Sequence, residues 1–409
     1  MVRLKPFAAL RPLPSLAAQV ASVPYDVVNR EEAAGLADGN PYSFLHVIRS
    51  EIDLPAATDP SDDAVYAGAR EALRRMQDQG VLVREDSPQM YLYRLVSNGK
   101  AQLGIVGCCH LDDYASGVIR KHERTRPDKE DDRTRHILAL GAQAGLVLLT
   151  FRFVEAFETQ AHRDVNARPL CHFDAPDGVT HTVWRVPDAG VYQDIFAAID
   201  CAYVADGHHR IAGAVRAAAE RRNGPDGPDQ EHDWFVAALF PAPALTILPY
   251  NRFVTDTGGL TADEVLRRLA DVGTVTAVDG PPTPGILGSG VFGTCLDGRW
   301  HTLGLDPGSI DRADPVGSLD VALLQERVLG PVLAIGDPRS DRRIEFIGGS
   351  RGPDELQRRV EESSGGIAFL LHATSIDQLM TVADAGLYMP PKSTWFEPKL
   401  RSGLFVHTL

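Results

Sequence analysis

The sequence predicts an α+β protein built from several α/β subdomains. Segments with apolar residues at helical spacing alternate with short, continuously apolar runs that are typical of buried strands. The chain has 409 residues, of which 44% are hydrophobic and 23% are charged, so it can form a sizeable core and about two to three domains. We predict an N-terminal α/β subdomain at 1–100, a core at 101–250 and a C-terminal α/β subdomain at 251–409.

Helices are predicted where apolar residues recur every three or four positions. In the segment 62–79, for example, Val65, Ala69 and Leu73 fall on one helical face. A further helix is predicted directly after Arg210. The other predicted helices are at 30–37, 192–198, 262–271, 353–361 and 376–383.

Strands are predicted in the short apolar and β-branched runs. Asn98-Gly99 is a strong hairpin signal and separates the first two of them, so a sheet is expected to begin there. The chain 223–229 is rich in Gly, Pro and Asp and is predicted to be a surface loop. The predicted strands are at 90–96, 103–111, 146–150, 201–205, 234–240, 245–248, 343–347 and 367–371.

Charge and cysteine content exclude several classes of protein. Forty-one basic and 55 acidic residues leave a net charge of −14, which repels nucleic acid and anionic lipid. The five cysteines are odd in number and include no C-x-x-C pair, which argues against a disulfide framework or a zinc-thiolate site. No run approaches the ~20 apolar residues that cross a bilayer. We expect a cytoplasmic protein that binds neither nucleic acid nor membrane.

The strongest local motif is Asp206-Gly207-His208-His209-Arg210, between a predicted strand and a predicted helix. Backbone N–H groups at a helix start, together with the helix dipole, form an anion site, and glycine lets an oxyanion approach the backbone. The two imidazoles and the guanidinium add donors, while Asp206 can cap the helix or hold a divalent cation. A capped helix with two solvated histidines is the alternative. Adjacent histidines point in different directions, so no metal site of protein ligands is predicted here.

A second motif is the charged block 121–133, within a stretch of fourteen ionisable residues in eighteen at 119–136. A solvated, salt-bridged helix start is the usual structure of such mixed charge. However, the block follows an apolar strand and contains Pro127, so part of it should be a loop at a sheet edge, where functional sites tend to lie.

A third motif lies at 390–399 and contains Lys392, Ser393 and Thr394. Only six of the 41 basic residues are lysines, and four of these six lie in the second and third motifs. This distribution favours a role for Lys392 and the two hydroxyls as donors to phosphate oxygens. The alternative is an ordered tail that is packed by Trp395 and Phe396.

Common catalytic motifs are absent from the sequence. There is no G-x-x-x-x-G-K-[ST], no H-E-x-x-H and no G-x-S-x-G, which argues against P-loop, zincin and α/β-hydrolase chemistry. The glycines at 288–293 match a dinucleotide pattern, but a proline-rich loop precedes them instead of a strand. We interpret them as a glycine loop.

The motifs together resemble a widespread bacterial family labelled as a domain of unknown function, domain of unknown function 1015. The resemblance covers nearly the whole chain and rests on four segments: Val-Pro-Tyr25-Asp26-Val-Val, Lys121-His122-Glu123-Arg124-Thr125, Ala205-Asp206-Gly207-His208-His209-Arg210 and Met389-Pro-Pro-Lys392-Ser393-Thr394. The last two segments are also similar to those of free L-serine kinases of the ParB/sulfiredoxin-like fold. The resemblance therefore implies a ParB/sulfiredoxin-like core.

The resemblance to the serine kinases also implies roles for individual residues. Glu123, of the His122-Glu123 pair, would be the general base that deprotonates the acceptor hydroxyl, and Asp26 is a rival carboxylate. The phosphate chain of the nucleotide would lie on the turn, with Lys392, Ser393 and Thr394 completing the site. The turn residues that would cradle the phosphates are Asp206, Gly207, His208, His209 and Arg210.

The function implied is phosphoryl transfer from ATP or ADP, with Mg²⁺, to the hydroxyl of a small metabolite, expected to be free L-serine. Two other functions stay open. One is a ParB-like regulator that uses a nucleotide as a switch, and the other is a hydrolase that only splits the nucleotide.

Overall fold

A computed structural model describes residues 1–222, 229–283 and 287–409. The described chain divides into two compact units. The first comprises Met1–Leu245 together with Pro398–Leu409, and the second comprises Thr246–Glu397. These units differ from the three predicted segments, because a hairpin crosses residue 100 and the last residues return to the first unit. Most of the loop predicted at 223–229 lies outside the described residues.

The first unit is mixed α/β. Its helices are α1 (Ala17–Val20), α2 (Arg30–Ala37), α3 (Leu45–Ile48), α4 (Asp63–Asp78), α5 (Leu111–Ala115), α6 (Pro127–Leu140), α7 (Glu155–Asp164), α8 (Ala189–Ala197) and α9 (His208–Arg221). Its strands before residue 246 are β1 (Leu4–Lys5), β2 (Leu10–Pro12), β3 (Leu82–Arg84), β4 (Tyr91–Ser97), β5 (Lys100–His110), β6 (Ile119–Arg120), β7 (Ala142–Gln143), β8 (Val147–Phe151), β9 (Cys171–Asp174), β10 (Thr180–Arg185), β11 (Ala202–Asp206) and β12 (Trp234–Pro241).

A large mixed sheet organises this unit. Within the described residues it has nine strands, in the order β6-β11-β8-β12-β5-β4-β10-β9, with β1 also paired to β5. The pairs β11–β6 and β12–β8 are parallel, whereas β11–β8 and β12–β5 are antiparallel. Strands β8, β11 and β12 are almost entirely buried, which explains their continuously apolar sequences.

The second unit has its own sheet and core. Its strands are β13 (Thr246–Leu248), β14 (Tyr250–Val254), β15 (Thr274–Val278), β16 (Val291–Leu296), β17 (Arg299–Gly304), β18 (Ile344–Gly348), β19 (Ile367–Leu370) and β20 (Trp395–Glu397). Its helices are α10 (Ala262–Ala270), α11 (Asp320–Leu324), α12 (Gly352–Glu362) and α13 (Ile376–Asp384). Its main sheet has the order β15-β17-β16-β19-β14-β18 within the described part of the chain. The chain then returns to the first unit as β21 (His407–Thr408), which pairs with β7.

Strong local signals predicted several elements correctly. The helix at 30–37 is α2, which begins with a capping box between Asn29 and Glu32. The predicted hairpin is the β4–β5 hairpin, where Asn98 and Gly99 have φ of +50° and +76°. Positive φ at both central residues is typical of a type I′ turn.

Short or partly exposed strands were missed. Strands β15 and β17 carry no simple alternation, and β9 is a short, partly exposed strand. Strand β10 was missed although four of its six residues are buried. Helix α6 begins at Pro127, which explains how the charged block can be loop before that residue and helix after it. Among the described residues, no helix is both long enough and apolar enough to span a membrane.

Candidate functional site

The turn after β11 brings together polar residues from several segments of the first unit. Strand β11 ends at Asp206, and helix α9 begins at His208. Gly207, between them, has a φ of +102°, which L side chains rarely adopt. A Cβ atom at this position would lie 3.2 Å from Cζ and Nε of Arg210. Glycine therefore permits both the sharp turn and the close approach of the guanidinium.

Asp206 lies between two cations. Its Oδ2 accepts a hydrogen bond from Lys399 Nζ at 3.3 Å, and its Oδ1 lies 3.4 Å from Nη2 of Arg210. Burial raises the pKa of Asp206, but Lys399 and Arg210 outweigh it and hold this pKa well below its usual range. Asp206 is therefore a carboxylate at neutral pH.

Arg210 joins three parts of the chain. Its guanidinium donates to the carbonyl of Leu146, contacts Asp206 and lies 3.6 Å from Oδ2 of Asp26. Its Nε is buried and has no hydrogen-bond partner among the described residues. The structure thus places Asp26 beside Arg210, as an ion-pair partner of the turn.

Glu123 lies beside His208. Its Oε2 is 3.8 Å from His208 Nδ1. The rings of His122 and His208 meet edge to face, with their centroids 4.5 Å apart. Burial lowers the pKa of His122 to about 4, and burial and then His122 hold the pKa of His208 well below its usual value. Both imidazoles are therefore neutral at neutral pH.

His209 contacts a different segment of the chain. Its Nε2 accepts a hydrogen bond from the backbone N–H of Arg126 at 3.1 Å. This contact connects the first turn of α9 to the loop just before α6. The charged block therefore contributes residues to the same site and is not only a solvated helix face.

Tyr25 and Arg133 flank the turn on another side. Arg133 Cζ lies 3.8 Å from the centroid of the Tyr25 ring, and burial raises the pKa of Tyr25 to about 12. Tyr25, Arg133 and Arg210 contribute to the lining of a cavity of about 40 Å³.

Lys392, Ser393 and Thr394 belong to the second unit. Lys392 has a φ of +56° and its Nζ lies 5.4 Å from the centroid of the Tyr250 ring. Ser393 is buried and donates a hydrogen bond to the carbonyl of Pro390 at 2.7 Å. Their predicted role at the phosphates stays a prediction.

Residues of the site that the sequence did not reveal come from distant segments. Lys399 was noted as one of the scarce lysines, but its partner is 193 positions away in the chain. Arg133 and Arg126 lie inside the charged block, where nothing in the pattern distinguishes them from solvated arginines. Scarcity of lysine was the one signal that could have singled out Lys399.

The fold and the site define a mixed α/β protein whose polar residues gather at a buried strand-to-helix turn. The model of the family described as "Protein of unknown function (DUF1015)" matches residues 4–322, and the chain belongs to this family.

Comparison with solved structures gives low similarity. A free serine kinase in complex with AMP is 14% identical, with 73% of this chain and 91% of that chain covered and a TM-score of 0.35. A conserved hypothetical protein from Pyrococcus furiosus is 13% identical over 73% and 93% of the two chains, with a TM-score of 0.36. C-terminally truncated SbnI from Staphylococcus aureus is 12% identical over 73% and 85%, with a TM-score of 0.38. Comparison with curated proteins gave no match.

Proposed function

We propose that this protein is a nucleotide-dependent kinase that phosphorylates the hydroxyl of a small metabolite, with free L-serine as the acceptor. The predicted core at 101–250 would then be ParB/sulfiredoxin-like. The observation that carries the proposal is the turn at Gly207, where a helix start meets the guanidinium of Arg210, whose side chain is only 12% exposed. The first N–H groups of a helix have no intrahelical acceptor, so this turn suits a phosphate chain.

The electrostatics of the turn support the same proposal. An enzyme catalyses phosphoryl transfer mainly by positioning the reactants and by placing cations and hydrogen-bond donors around the transferring oxygens. Arg210 and Lys399 supply the cations, and His209 lies in the first turn of α9. Mg²⁺ would be held by the phosphate oxygens with Asp206 as the nearby carboxylate, and it would neutralise part of the phosphate charge.

The acceptor hydroxyl must lose its proton as its oxygen bonds to phosphorus and the nucleoside phosphate leaves. Glu123 and Asp26 are the two carboxylates proposed for this task. Asp26 lies 3.6 Å from Nη2 of Arg210, so its carboxylate is engaged as an ion-pair partner of the turn. Glu123 has neutral imidazoles beside it, so Glu123 is the preferred base.

The experiment is an incubation of the full chain with ATP or ADP, Mg²⁺ and a mixture of amino acids, followed by mass spectrometry of the products. The proposal expects O-phosphoserine. Nucleotide hydrolysis without a phosphorylated amino acid would identify a hydrolase instead. Nucleotide binding without either product would favour a regulator.

Glu123→Gln and Asp26→Asn distinguish the two carboxylates. A general base contributes ~10²- to 10⁴-fold, so Glu123→Gln should lower turnover by that factor while nucleotide affinity stays nearly normal. If Asp26→Asn abolishes turnover and Glu123→Gln does not, the base is Asp26. If both variants remain fully active, neither carboxylate is the base and the proposed mechanism is wrong.

A further inference from the structure

His122, Glu123 and His208 form a compact cluster of potential metal ligands. One ligand atom from each residue can be chosen so that all three lie within 4.8 Å of one another. His122 and Glu123 precede α6, whereas His208 is the first residue of α9. The cluster therefore combines residues from two separate segments of the chain and is not formed by sequence neighbours alone.

The two histidines are buried without their full set of hydrogen bonds. His122 and His208 are 2% and 3% exposed. Nδ1 of His122 and Nε2 of His208 have no hydrogen-bond partner among the described residues. Buried polar atoms are normally hydrogen-bonded, so two unsatisfied ring nitrogens in one cluster are both available to a ligand.

The second nitrogen of His122 is already engaged, because this imidazole hydrogen-bonds the backbone of Val204. Metal-binding histidines usually donate their other N–H to a carbonyl or carboxylate, which fixes the ring and the tautomer. His122 therefore keeps a lone pair on Nδ1, which has no hydrogen-bond partner among the described residues.

We propose that His122, Glu123 and His208 bind a divalent first-row transition-metal ion, with Zn²⁺ and Co²⁺ as suitable probes. Two imidazoles and one carboxylate suit this class of ion, whereas Mg²⁺ prefers oxygen ligands and retains its water. Three protein ligands leave a coordination position open, which a water molecule or an anionic oxygen would fill.

This inference goes beyond the proposed kinase function and does not need it, because metal binding is measured without nucleotide. Both proposals involve Glu123, as a general base in one and as a metal ligand in the other. A carboxylate that ligates a metal is a weaker base, so metal binding through Glu123 would shift the base role toward Asp26.

The test uses the full chain after removal of metals with a chelator. Titration calorimetry with Zn²⁺ should give one site per chain, and Co²⁺ should produce visible absorption bands. His208→Gln and Glu123→Gln should each weaken binding by more than ~10-fold, since even loss of an outer-shell partner has such an effect.

A matched control keeps the test specific. His162→Gln changes an exposed histidine 3.4 Å from Glu158, outside the site. This variant should bind Zn²⁺ as the unmodified chain does. Since His208→Gln could fail to fold, the partly exposed Glu123 provides the second variant. Absence of a Zn²⁺ site, or affinity unchanged in a folded Glu123→Gln, overturns the proposal even if kinase activity is found.

Discussion

Arg210 contacts Leu146, Asp206 and Asp26, which lie in three different segments, so its replacement is an informative single change. Arg210→Ala should weaken nucleotide binding by ~1–3 kcal/mol for each charged hydrogen bond lost, or ~5- to 150-fold in Kd. Lys399→Ala should act in the same direction, because Lys399 contacts the same carboxylate from the C-terminal segment.

The control for this prediction is Arg74→Ala. Arg74 is exposed and pairs with Glu71 and Asp78 on α4, and exposed pairs contribute only ~0–1 kcal/mol to stability. Calorimetry with ATP and ADP should show no change for Arg74→Ala. Equal affinity of the Arg210→Ala variant and the unmodified chain would remove the turn from the nucleotide site.

His181 makes a prediction about pH and stability. Its Nε2 accepts a hydrogen bond from Nε of Arg401 at 3.2 Å, so its proton is on Nδ1, 2.8 Å from the Tyr93 hydroxyl. Burial first, and then Arg401, lower the pKa of His181 to about 3, although Asp177 and Asp174 oppose this. A second proton, on Nε2 of His181, would lie directly against the guanidinium of Arg401.

Because the folded pKa of His181 is below the unfolded value of 6.5, the unfolded chain takes up a proton first as pH falls. The stabilisation is complete above pH 6.5 and is lost at up to ~1.4 kcal/mol per pH unit toward pH 3. Urea unfolding at a series of pH values should show a shallower pH dependence for His181→Gln, whereas His162→Gln should keep the original one. Parallel curves for the unmodified chain and His181→Gln would contradict the prediction.

The sequence predicted which residue types form the turn, but it did not predict which distant residues contact them. Residues 206–210 stand together in the chain, so their types and their position after a strand were visible directly. The ion pair of Lys399 with Asp206 and the stacking of Arg133 on Tyr25 depend on the tertiary fold. No spacing rule connects residues 193 or 108 positions apart, so the pattern could not identify these contacts.

At the scale of elements, helix α9 packs closely against helix α6. A Cβ atom at Gly213 would lie only 2.7 Å from Cβ of Arg133 and 3.2 Å from the backbone of Thr134. Glycine at this position lets the two helix backbones approach each other. It therefore also positions Arg133, which stacks on Tyr25 beside the turn.

Gly213→Ala should lower the free energy of unfolding by ~1–3 kcal/mol, since added volume in a tight contact forces a backbone shift. Gly35→Ala is the matched control, because Gly35 is an exposed glycine in α2 with nothing within 4 Å of its Cβ position. Alanine in a helix interior is favoured by ~1 kcal/mol over glycine, so the control should be neutral or stabilising. Thermal unfolding of both variants measures the difference, and equal midpoints would show that the helices can adapt.

Elements with a strong local signal were predicted correctly, and those that depend on pairing were missed. Helix α2 has a capping box and the β4–β5 hairpin has an Asn-Gly turn, so local sequence decides both. Strand β6 has two residues and exists because it pairs with β11, which is 83 positions further along the chain. Its two residues lie just before the charged block and show no strand pattern.

At the scale of the whole molecule, the C-terminal segment Pro398–Leu409 completes the first unit. Strand β21 pairs with β7, Val406 bridges to Leu10, and Leu409 donates to the carbonyl of Gly141 at 2.9 Å. The predicted subdomain 251–409 placed this segment with its neighbours in sequence. Only the three-dimensional structure assigns Pro398–Leu409 to the first unit, because the chain returns to this unit after forming the whole of the second one.

A chain that ends at Glu397 should therefore lose stability in the first unit. Amide hydrogen exchange should become faster in β2 and β7, whose backbone partners would be removed, and nucleotide affinity should fall with the loss of Lys399. Exchange in the β16–β17 hairpin of the second unit should stay the same, which provides an internal control. Lys399→Ala in the full chain separates the two effects, because it removes the cation from Asp206 and leaves β21 in place. Unchanged protection of β2 and β7 in the shortened chain would mean that this segment only covers the first unit and does not hold it together.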